Sequence, residues 1–383
     1  MKNLAIITTH PIQYNAPLFR LLHERGNLTI KVFYTWGRQV AEEKYDPGFG
    51  KSIQWDIPLL DGYEYEWVEN IAKDAGSHHY KGIDNPGLVA SVINWKADAV
   101  LVYGWSFKSH LKVMRYFKNK IPVFFRGDSV LLNQSSRLKV LLRKLFLKWV
   151  YSHIDIALYV GTHNRAYYKS FGVKDSQLVF APHAIDNERF GDTANRKSEV
   201  LEWRRALQID PQDIVFLYAG KLDENKNTAM LARVFIELDT SHAHLLIAGN
   251  GTCEESLKQS FGHNSNVHFL PFQNQSQMPV LYAMADIFVL PSISETWGLS
   301  VNEAMASGKA VLVSDSCGAA VDLVQNGKNG FIFRSGDEKD LKEKMLKFLE
   351  RETDLQKMGI ASFEIIQNWN YEMDCKVIES LFN

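Results

Sequence analysis

Residues 288–308 have the sequence FVLPSISETWGLSVNEAMASG. The stretch begins with apolar residues that predict a buried strand, and this strand ends at Pro291. A polar loop containing Glu295 follows, and a helix is predicted to begin near Gly298 and to end near Gly308. This order of strand, loop and helix is typical of a parallel α/β sheet, in which ligand sites lie at the carboxyl ends of the strands.

The start of this predicted helix is suited to an anion. The first backbone N–H groups of a helix lack partners within the helix, and the helix dipole favours negative charge there. Gly298 lets a diphosphate approach the backbone because it has no side chain. Glu303 lies about one and a half turns along the helix, where a carboxylate can accept hydrogen bonds from a ribose diol. Glu295 would face the group attached to the phosphate. The alternative is that Glu295 caps the helix and Glu303 is a surface charge.

Apolar strands and helices alternate along both halves of the chain. The predicted strands are 4–8, 29–34, 99–103, 122–125, 156–160, 214–218, 244–248, 267–270, 287–290, 310–313 and 330–333. Such alternation predicts an α/β protein with parallel sheets, and the length predicts more than one domain. The polar stretch 186–199 is the predicted linker.

Composition fits a folded protein without a membrane span. Hydrophobic residues make up 46% of the 383 residues and charged residues 23%, and the net charge of -1 excludes a generic polyanion binder. The three cysteines, Cys253, Cys317 and Cys375, are too far apart for a disulfide framework or a zinc knuckle, which favours a reducing compartment. No apolar run suits a signal peptide or a transmembrane helix. We therefore expect a cytoplasmic protein.

The motif in residues 288–308 resembles the signature of family 4 retaining glycosyltransferases, in which two glutamates have the spacing of Glu295 and Glu303. Three further segments are similar to family motifs in the same order. Residues 218–227 (YAGKLDENKN) resemble the Gly-Arg-Leu-x-x-x-Lys-Gly loop, residues 246–251 (LIAGNG) resemble the Ile-x-Gly-x-Gly strand end, and residues 314–330 resemble a glycine-rich segment. The resemblance covers about residues 155–335 well.

The resemblance implies the GT-B fold, with two Rossmann-like doubly wound parallel-sheet domains that face each other across a cleft. Residues 1–183 would bind the acceptor, together with a C-terminal crossover helix at about 365–383, and residues 184–364 would bind a nucleotide-sugar. The implied activity is retaining transfer of the sugar to a glycan or lipid-linked acceptor, in surface polysaccharide or glycoconjugate synthesis. The nucleotide-sugar is a co-substrate, and no cofactor or metal is expected, because the chain contains no Asp-x-Asp motif.

Lys221 and Lys226 both follow the predicted strand 214–218. Two ammonium groups on one loop suit a diphosphate and can stabilise the charge that grows on the departing nucleotide. The resemblance assigns them this role, although Lys221 stands where the family usually has Arg and Asn227 where it usually has Gly. The alternative is an ordinary solvated loop.

The predicted donor site combines these segments with the strand at 267–270. We expect the base to lie against Leu270 and Phe272, with UDP as the preferred nucleotide. The predicted donor-binding residues are Gly220, Lys221, Lys226, Gly249, Leu270, Phe272, Glu295, Thr296, Trp297, Gly298, Leu299 and Glu303.

The predicted acceptor site lies in the first half. The loop after the first strand lacks the Gly-x-Gly-x-x-Gly of dinucleotide-binding proteins, but its polar side chains can contact an acceptor sugar: His10, Gln13, Tyr14 and Asn15. His10 could instead have a capping or structural role.

Arg126 and Asp128 follow the strand at 122–125. They either hold the donor sugar or the acceptor, or form a structural ion pair. Asp128 and His10 are candidate proton acceptors, although in a retaining reaction the donor phosphate can take the proton. The predicted catalytic residues are Lys221, Lys226, Glu295, Asp128 and Arg126. His183, at the predicted hinge, is expected to be structural.

The segment Ser136–Tyr151 has five cations and no acid, and Leu138, Leu142, Leu145 and Trp149 share one helical face. Residues 1–185 carry 24 Lys and Arg against 15 Asp and Glu. Such a helix can bind an anionic membrane surface, here the inner face of the membrane, or it can pack on the sheet as an ordinary amphipathic helix. No nucleic-acid-binding motif is present.

Two other functions remain open at this point. One is a sugar-nucleotide epimerase or hydrolase on the same fold, which would act without an acceptor. The other is a non-catalytic module that binds a sugar nucleotide or a lipid surface.

Overall fold

The structure is a computed structural model that describes residues 1–38, 44–46, 48–131 and 137–382, without the side chains of residues 44, 137–140 and 194. The chain forms two compact units. The first contains Met1–Lys44, Pro58–His183 and Tyr371–Asn383, and the second contains Tyr45–Ile57 and Ala184–Asn370. The predicted domains were residues 1–183 with about 365–383, and residues 184–364; in the structure the second unit extends to Asn370. The predicted division assigned Tyr45–Ile57 to the first domain, whereas the structure has these residues in the second unit.

The first unit contains a seven-stranded parallel sheet. Its strands, in spatial order, are β5 (Glu64–Trp67), β2 (Leu28–Tyr34), β1 (Lys2–Thr8), β6 (Ala99–Tyr103), β7 (Val123–Arg126), β8 (Ile156–Tyr159) and β9 (Leu178–Phe180). The central strands are apolar along their whole length because helices cover both faces of the sheet.

The second unit contains a six-stranded parallel sheet. Its strands, in spatial order, are β12 (Val267–Leu270), β11 (Ala243–Ala248), β10 (Ile214–Ala219), β13 (Ile287–Leu290), β14 (Ala310–Ser314) and β15 (Gly330–Phe333). Two short strands, β3 (Lys44–Asp46) and β4 (Lys51–Ile53), form a separate two-stranded sheet. The predicted α/β class with parallel sheets in two domains is confirmed.

Helices connect the strands in both units. In the first unit they are Ala16–Arg25, Leu88–Asn94, Lys108–Phe117, Arg137–Tyr151, Thr162–Ser170 and Tyr371–Ser380. In the second they are Asn187–Gly191, Lys197–Ala206, Thr228–Ile236, Glu254–Phe261, Met278–Met284, Leu299–Ala306, Ala320–Leu323, Glu338–Leu349 and Leu355–Ile366. Within the described ranges, none of the helices has both the length and the apolar character needed to cross a membrane.

The stretch 186–199 is not the linker that its polarity predicts. Asp186 caps the helix Asn187–Gly191 by accepting a hydrogen bond from the Arg189 backbone N–H, and Phe190 is fully buried against Tyr282. Together with hydrogen bonds from Arg189 to Gln275, the packing of Phe190 holds this polar stretch on the second unit.

The strand order reverses once in each sheet. In the second unit this occurs where β10 lies beside β13, because the chain continues from β10 to β11 and β12 on one side and from β13 to β14 and β15 on the other. The connections leave such a point in opposite directions and open a crevice at the carboxyl ends of the two strands. The candidate donor residues after β10 and β13 lie at this edge.

His110 is a buried histidine of the first unit with partners on both ring nitrogens. Nδ1 donates to the Gly104 carbonyl at 2.9 Å, and Nε2 lies 2.9 Å from the Thr35 hydroxyl. Burial lowers the pKa of His110 to about 4, although hydrogen bonds to the Gly104 and Tyr103 carbonyls oppose the shift. The folded state therefore contains the neutral ring.

We expect this histidine to make the protein sensitive to acid. The pKa of His110 is lower in the folded state than in the unfolded state, so the stabilisation from the neutral ring is fully present above pH about 6.5. It is lost as pH falls towards 4, and the free energy of unfolding then decreases by up to about 3 kcal/mol. Urea unfolding between pH 7.5 and 4 will show a smaller loss of stability for His110→Gln than for the wild type. Equal losses would contradict the prediction.

Candidate active site

The loops after β10 and β13 are fastened to each other. The Asn225 side-chain amide donates to the Ser294 carbonyl at 2.7 Å, and the Ile293 backbone N–H donates to the Asn225 carbonyl at 2.8 Å. These bonds hold the loop of Lys221 and Lys226 beside the loop of Glu295.

Lys226 and Glu295 form an ion pair that joins the two loops, between Nζ and Oε2. Both side chains are about one-fifth exposed. Asp223 precedes the turn Glu224–Lys226 and accepts the Lys226 backbone N–H at 3.0 Å, which positions the lysine. The structure therefore brings together a cation and a carboxylate that the sequence predicted separately, and each orients the other.

The Lys226 turn ends in a left-handed residue. Asn227 has φ 53° and ψ 34° and directly precedes the helix Thr228–Ile236. Asparagine tolerates this conformation better than most side chains, although glycine adopts it most readily. Asn227 can therefore occupy a position at which the family that the sequence resembles usually has Gly.

Backbone bonds connect the Glu295 loop to residues 314–319. The Glu295 N–H donates to the Ser316 carbonyl at 3.1 Å, and its carbonyl accepts the Gly318 N–H at 3.0 Å. Gly298 has φ 96°, and a Cβ there would lie 2.8 Å from the Cys317 sulfur. Position 298 thus requires glycine because any side chain would clash with Cys317, in addition to the predicted approach of a diphosphate.

Gly298 precedes the helix Leu299–Ala306, as predicted. Its first backbone N–H groups are suited to an anion at the crevice. Thr296 and Leu299 are partly exposed beside Gly298. The Trp297 side chain, by contrast, is 3% exposed, stacks on Trp369 and donates to Asn302 at 2.9 Å. Its side chain is therefore part of the core of the second unit.

Glu303 is buried within the second unit. Its side chain is 2% exposed, and Oε2 accepts a hydrogen bond from the Tyr282 hydroxyl at 2.8 Å. It is therefore not the surface charge of the alternative interpretation. Tyr282 orients the carboxylate, and sequence reasoning missed it because the helix Met278–Met284 shows no pattern of spacing with Glu303.

The strand ends at Gly220 and Gly249 approach closely. A Cβ on Gly249 would lie 1.9 Å from the Gly220 carbonyl oxygen, so only glycine fits there. Leu270 ends β12, and its carbonyl accepts the Gly249 N–H at 3.0 Å. Phe272 is held two residues further on by a hydrogen bond from its N–H to Asn250 at 2.8 Å. Leu270 and Phe272, against which the base is predicted to lie, are therefore on the β11 side of β10.

In the first unit, the four predicted acceptor residues lie between β1 and the helix Ala16–Arg25 and are partly exposed. His10 Nδ1 lies 2.8 Å from the Thr9 hydroxyl, and its ring makes an edge contact with Trp36. Gln13, Tyr14 and Asn15 follow in the same loop. The contacts of His10 fix its ring orientation, as a structural histidine requires, and leave the ring partly accessible.

Arg126 forms a structural ion pair. This is one of the two alternatives predicted for it, the other being contact with the donor sugar or the acceptor. Its guanidinium is 3.2 Å from Asp374 Oδ1 and donates to the Pro182 carbonyl at 2.7 Å, and both side chains of the pair are buried. Burial raises the pKa of Asp374 to about 6, although the Arg126 charge opposes the shift. The partner is Asp374 rather than the neighbouring Asp128, so Arg126 joins the helix Tyr371–Ser380 to the first sheet.

Asp128 is exposed, whereas His183 is partly buried nearby. Burial lowers the pKa of His183 to about 4, the Arg126 charge lowers it further, and the Asp128 charge opposes both effects. The His183 ring is therefore neutral, and the charges that act on it are those of Arg126 and Asp128. Its proximity to Asp128 was not predicted.

The basic helix Arg137–Tyr151 packs on the first unit through Leu147 and Val150, which are buried. The face predicted from periodicity points elsewhere: Leu142, Leu145 and Trp149 are 60%, 59% and 41% exposed. Ser136 and the Leu138 side chain lie outside the described part. The alternative in which this apolar face packs on the sheet is therefore wrong for the three described residues.

One cluster in the described part of the chain has the donor set of a metal site. Asp74, His78 and His79 bring their ligand atoms within 4.8 Å of one another on the first unit. This cluster lies outside both predicted sites.

Residues 199–364 match the family described as Glycosyl transferases group 1. All of the matched residues lie in the second unit. Among curated relatives, an uncharacterized glycosyltransferase of Methanocaldococcus jannaschii is 32% identical over 136 residues, which cover 34% of this chain and 35% of the relative. The N,N'-diacetylbacillosaminyl-diphospho-undecaprenol alpha-1,3-N-acetylgalactosaminyltransferase of Campylobacter jejuni is 29% identical over 213 residues, 55% and 54% of the two chains. The chain thus spans between about a third and about half of the length of these relatives.

Solved structures resemble the whole chain. Sucrose-phosphate synthase of Thermosynechococcus elongatus has a TM-score of 0.72 at 17% identity and covers 100% of this chain and 98% of its own. Anabaena HepE in complex with UDP and glucose has a TM-score of 0.72 at 15% identity and covers 100% of both chains. At these identities the likeness shows the fold, which is that of GT-B glycosyltransferases. Lys226, Glu295 and Glu303 lie within the matched residues 199–364.

The buried ion pair of the first unit gives a testable prediction. Arg126→Met leaves Asp374 buried without its cation, which we expect to cost about 3–5 kcal/mol, whereas Arg126→Met with Asp374→Leu recovers most of the loss. Thermal and urea unfolding of the three proteins measure this. A double variant as unstable as the single one would contradict the structural role.

Proposed function

We propose that the protein is a metal-independent, retaining glycosyltransferase that moves a sugar from a nucleotide-sugar to a glycan or lipid-linked acceptor. The observation that supports this most directly is the Lys226–Glu295 ion pair, formed at the strand reversal beside the start of the helix Leu299–Ala306. This edge offers a cation, a carboxylate and backbone N–H groups to one diphosphate-linked sugar. A nucleic acid is not among the proposed partners.

In this proposal the second unit binds the donor. Glu303 holds the ribose, and Glu295 holds the transferred sugar. Lys221, Lys226 and the N–H groups after Gly298 stabilise the negative charge that develops on the diphosphate as the bond from its oxygen to the sugar carbon breaks. Lys226 and the N–H groups after Gly298 are held in place by the fold before the reaction, so they need little reorganisation in the transition state.

The acceptor would bind at the loop of His10, Gln13, Tyr14 and Asn15. Its hydroxyl oxygen forms the new bond to the sugar carbon on the face that the diphosphate leaves, which retains the configuration. The hydroxyl proton goes to the departing phosphate oxygen, or to His10 or Asp128. Arg126 has no part in this scheme because Asp374 and backbone carbonyls occupy its guanidinium.

We favour a UDP-sugar and an acceptor used in surface polysaccharide or glycoconjugate synthesis. UDP and glucose are the ligands in the Anabaena structure, and the Campylobacter relative is named for an undecaprenol-linked substrate. An epimerase or hydrolase on the same fold would turn over a nucleotide-sugar without an acceptor. A binding module would bind it without turnover.

The test begins with thermal shifts and calorimetry for UDP, GDP and ADP without added metal. We expect one nucleotide to stabilise the protein selectively. Lys226→Ala and Glu303→Ala should each weaken its binding at least tenfold. Lys258→Ala, which removes a half-exposed lysine paired with Glu254, is the control and should bind normally. No stabilisation by any nucleotide would contradict the proposal.

Turnover separates the remaining alternatives. With the selected nucleotide-sugar and a lipid-linked acceptor mixture, we expect a product that forms only with acceptor, and NMR of its anomeric signal should show retained configuration. Lys226→Ala should reduce kcat about 100-fold. Sugar conversion without acceptor would indicate the epimerase or hydrolase, and binding without turnover would indicate the module.

We also propose that the helix Arg137–Tyr151 contacts an anionic membrane, which would keep the protein at the inner face of the membrane. Two observations favour this surface. Leu141, Leu142 and Leu145 are each more than half exposed. Arg143 and Lys148 are exposed on the same helix, which has no acidic residue. Leucine, tryptophan and cations on one exposed surface are typical of interfacial helices.

Vesicle flotation tests this contact. We expect binding to vesicles with phosphatidylglycerol, weaker binding at 0.5 M salt, and no binding to neutral vesicles. Leu142→Ser with Leu145→Ser should reduce binding at least tenfold. Leu201→Ser, which alters a leucine of the second unit with 44% exposure, is the control. Equal binding by both variants would exclude this helix as the contact.

A further inference from the structure

The segment Tyr45–Ile57, hereafter the strap, belongs to the second unit although it comes early in the sequence. It contains β4 and most of β3, and Pro47 lies outside its described residues. Its contacts are with the residues predicted to bind the donor. The sequence offered no reason to connect it with them.

Asp46 of the strap holds Lys221. Its Oδ1 lies 2.8 Å and its Oδ2 3.1 Å from the Lys221 Nζ. The backbone N–H groups of Gly48 and Phe49 donate to the same carboxylate at 2.8 and 3.3 Å. Burial disfavours the charged form of Asp46, but the Lys221 ammonium and these N–H groups outweigh it and lower the pKa of Asp46. Asp46 is therefore charged at neutral pH.

This arrangement resembles an anion site that is already filled. A carboxylate is bound by one ammonium group and two backbone N–H groups, and the Phe49 ring lies 5.2 Å from the same ammonium. Lysine is a compact point charge, without the planar fork by which arginine can hold a group bidentately. Lys221 therefore cannot bind a diphosphate closely while Asp46 remains, because the two anions would repel each other at a few ångströms.

The strap also covers the residue predicted to lie against the base. The Phe272 ring makes an edge contact with Phe49 at 5.1 Å between centroids and lies 6.2 Å from Trp55. The Lys51 ammonium lies 4.2 Å from the centre of the same ring. Three strap side chains thus surround one aromatic ring of the candidate donor site.

The far end of the strap is attached by polar contacts on exposed side chains. Asp56 accepts hydrogen bonds from the Ser276 N–H and hydroxyl, and the Asn274 side chain donates to the Gln54 carbonyl at 2.7 Å. Exposed polar contacts contribute little to stability individually. Displacing the strap therefore loses these polar contacts at small cost, together with the packing of the buried Ile53.

We infer that the strap is an autoinhibitory element of the donor site, in which Asp46 occupies the position of a donor phosphate on Lys221. This inference rests on the proposed function, since it takes Lys221 as a diphosphate ligand. A nucleoside diphosphate must displace Asp46 to reach Lys221. When the strap moves away, the contacts of its aromatic side chains with Phe272 are lost as well. Donor binding is thereby weakened by the strap.

The direct test is calorimetry with UDP, or with whichever nucleoside diphosphate the thermal-shift screen selects. Asp46→Asn keeps the shape of the side chain and removes its charge, so we expect binding about three- to tenfold tighter than in the wild type. Asp239→Asn removes one charge from an exposed loop of the same unit, after the helix Thr228–Ile236, and should change nothing. In the Lys221→Ala background the gain from Asp46→Asn should vanish, and it should be absent for uridine.

Hydrogen exchange gives a second readout that does not depend on affinity. The N–H groups of Gly48 and Phe49 donate to Asp46, which Lys221 holds in place, so we expect them to exchange faster in saturating UDP and also in Asp46→Ala without ligand. Slower exchange with UDP would mean that the strap closes over the nucleotide as a wall of its pocket, and this would overturn the inference.

The outcomes separate the two proposals. If UDP binding depends on Lys226 and Glu303 but Asp46→Asn leaves affinity unchanged or weaker, the autoinhibitory strap is wrong and the glycosyltransferase proposal stands. If no nucleoside diphosphate binds to the wild type or to Asp46→Asn, both fail. Binding that appears only in Asp46→Asn supports both.

Discussion

The parallel pairing of β10 with β13 is the constraint on which the candidate donor site depends. The two strands adjoin in register, with Phe216 opposite Ile287 and Leu217 opposite Phe288. Because they run in the same direction, the loops that follow them leave the same edge of the sheet. The Lys226 ammonium and the Glu295 carboxylate meet there although 68 residues of chain separate them. The contacts of Asn225 with residues 293 and 294 then fix the distance between the loops.

The first unit depends on a different kind of contact, a buried ion pair. The chain returns to this unit at Tyr371, and Asp374 reaches Arg126 at the end of β7. Cys375 and Ile378 on the same helix are buried in the core beneath β1 and β2. Apolar packing supplies most of the favourable free energy of such a helix, whereas the ion pair is satisfied only when the helix is correctly placed.

The sequence predicted the central strands well because a strand buried on both faces is a continuous apolar run. The central strands β6 and β13 have the predicted bounds, and so do β12 and β15, which are edge strands with apolar sequences. The prediction failed where an apolar run is absent: β5 has the sequence EYEW, and β3 and β4 are three residues each. The strap was missed with them, and the segment 186–199 was mistaken for a linker because one buried Phe190 leaves no pattern.

By itself, the sequence determined the α/β class and the motif that places Glu295, Gly298 and Glu303 around one strand and helix. These features depend on residues close together in the chain, so spacing and periodicity reveal them. Only the tertiary structure decided which charges are paired and which surfaces are exposed. Arg126 faces Asp374, Lys221 faces Asp46, and Leu142 points away from the sheet. Pairing and exposure depend on distances between residues in the folded chain, and the order of residues in the sequence does not give these distances directly.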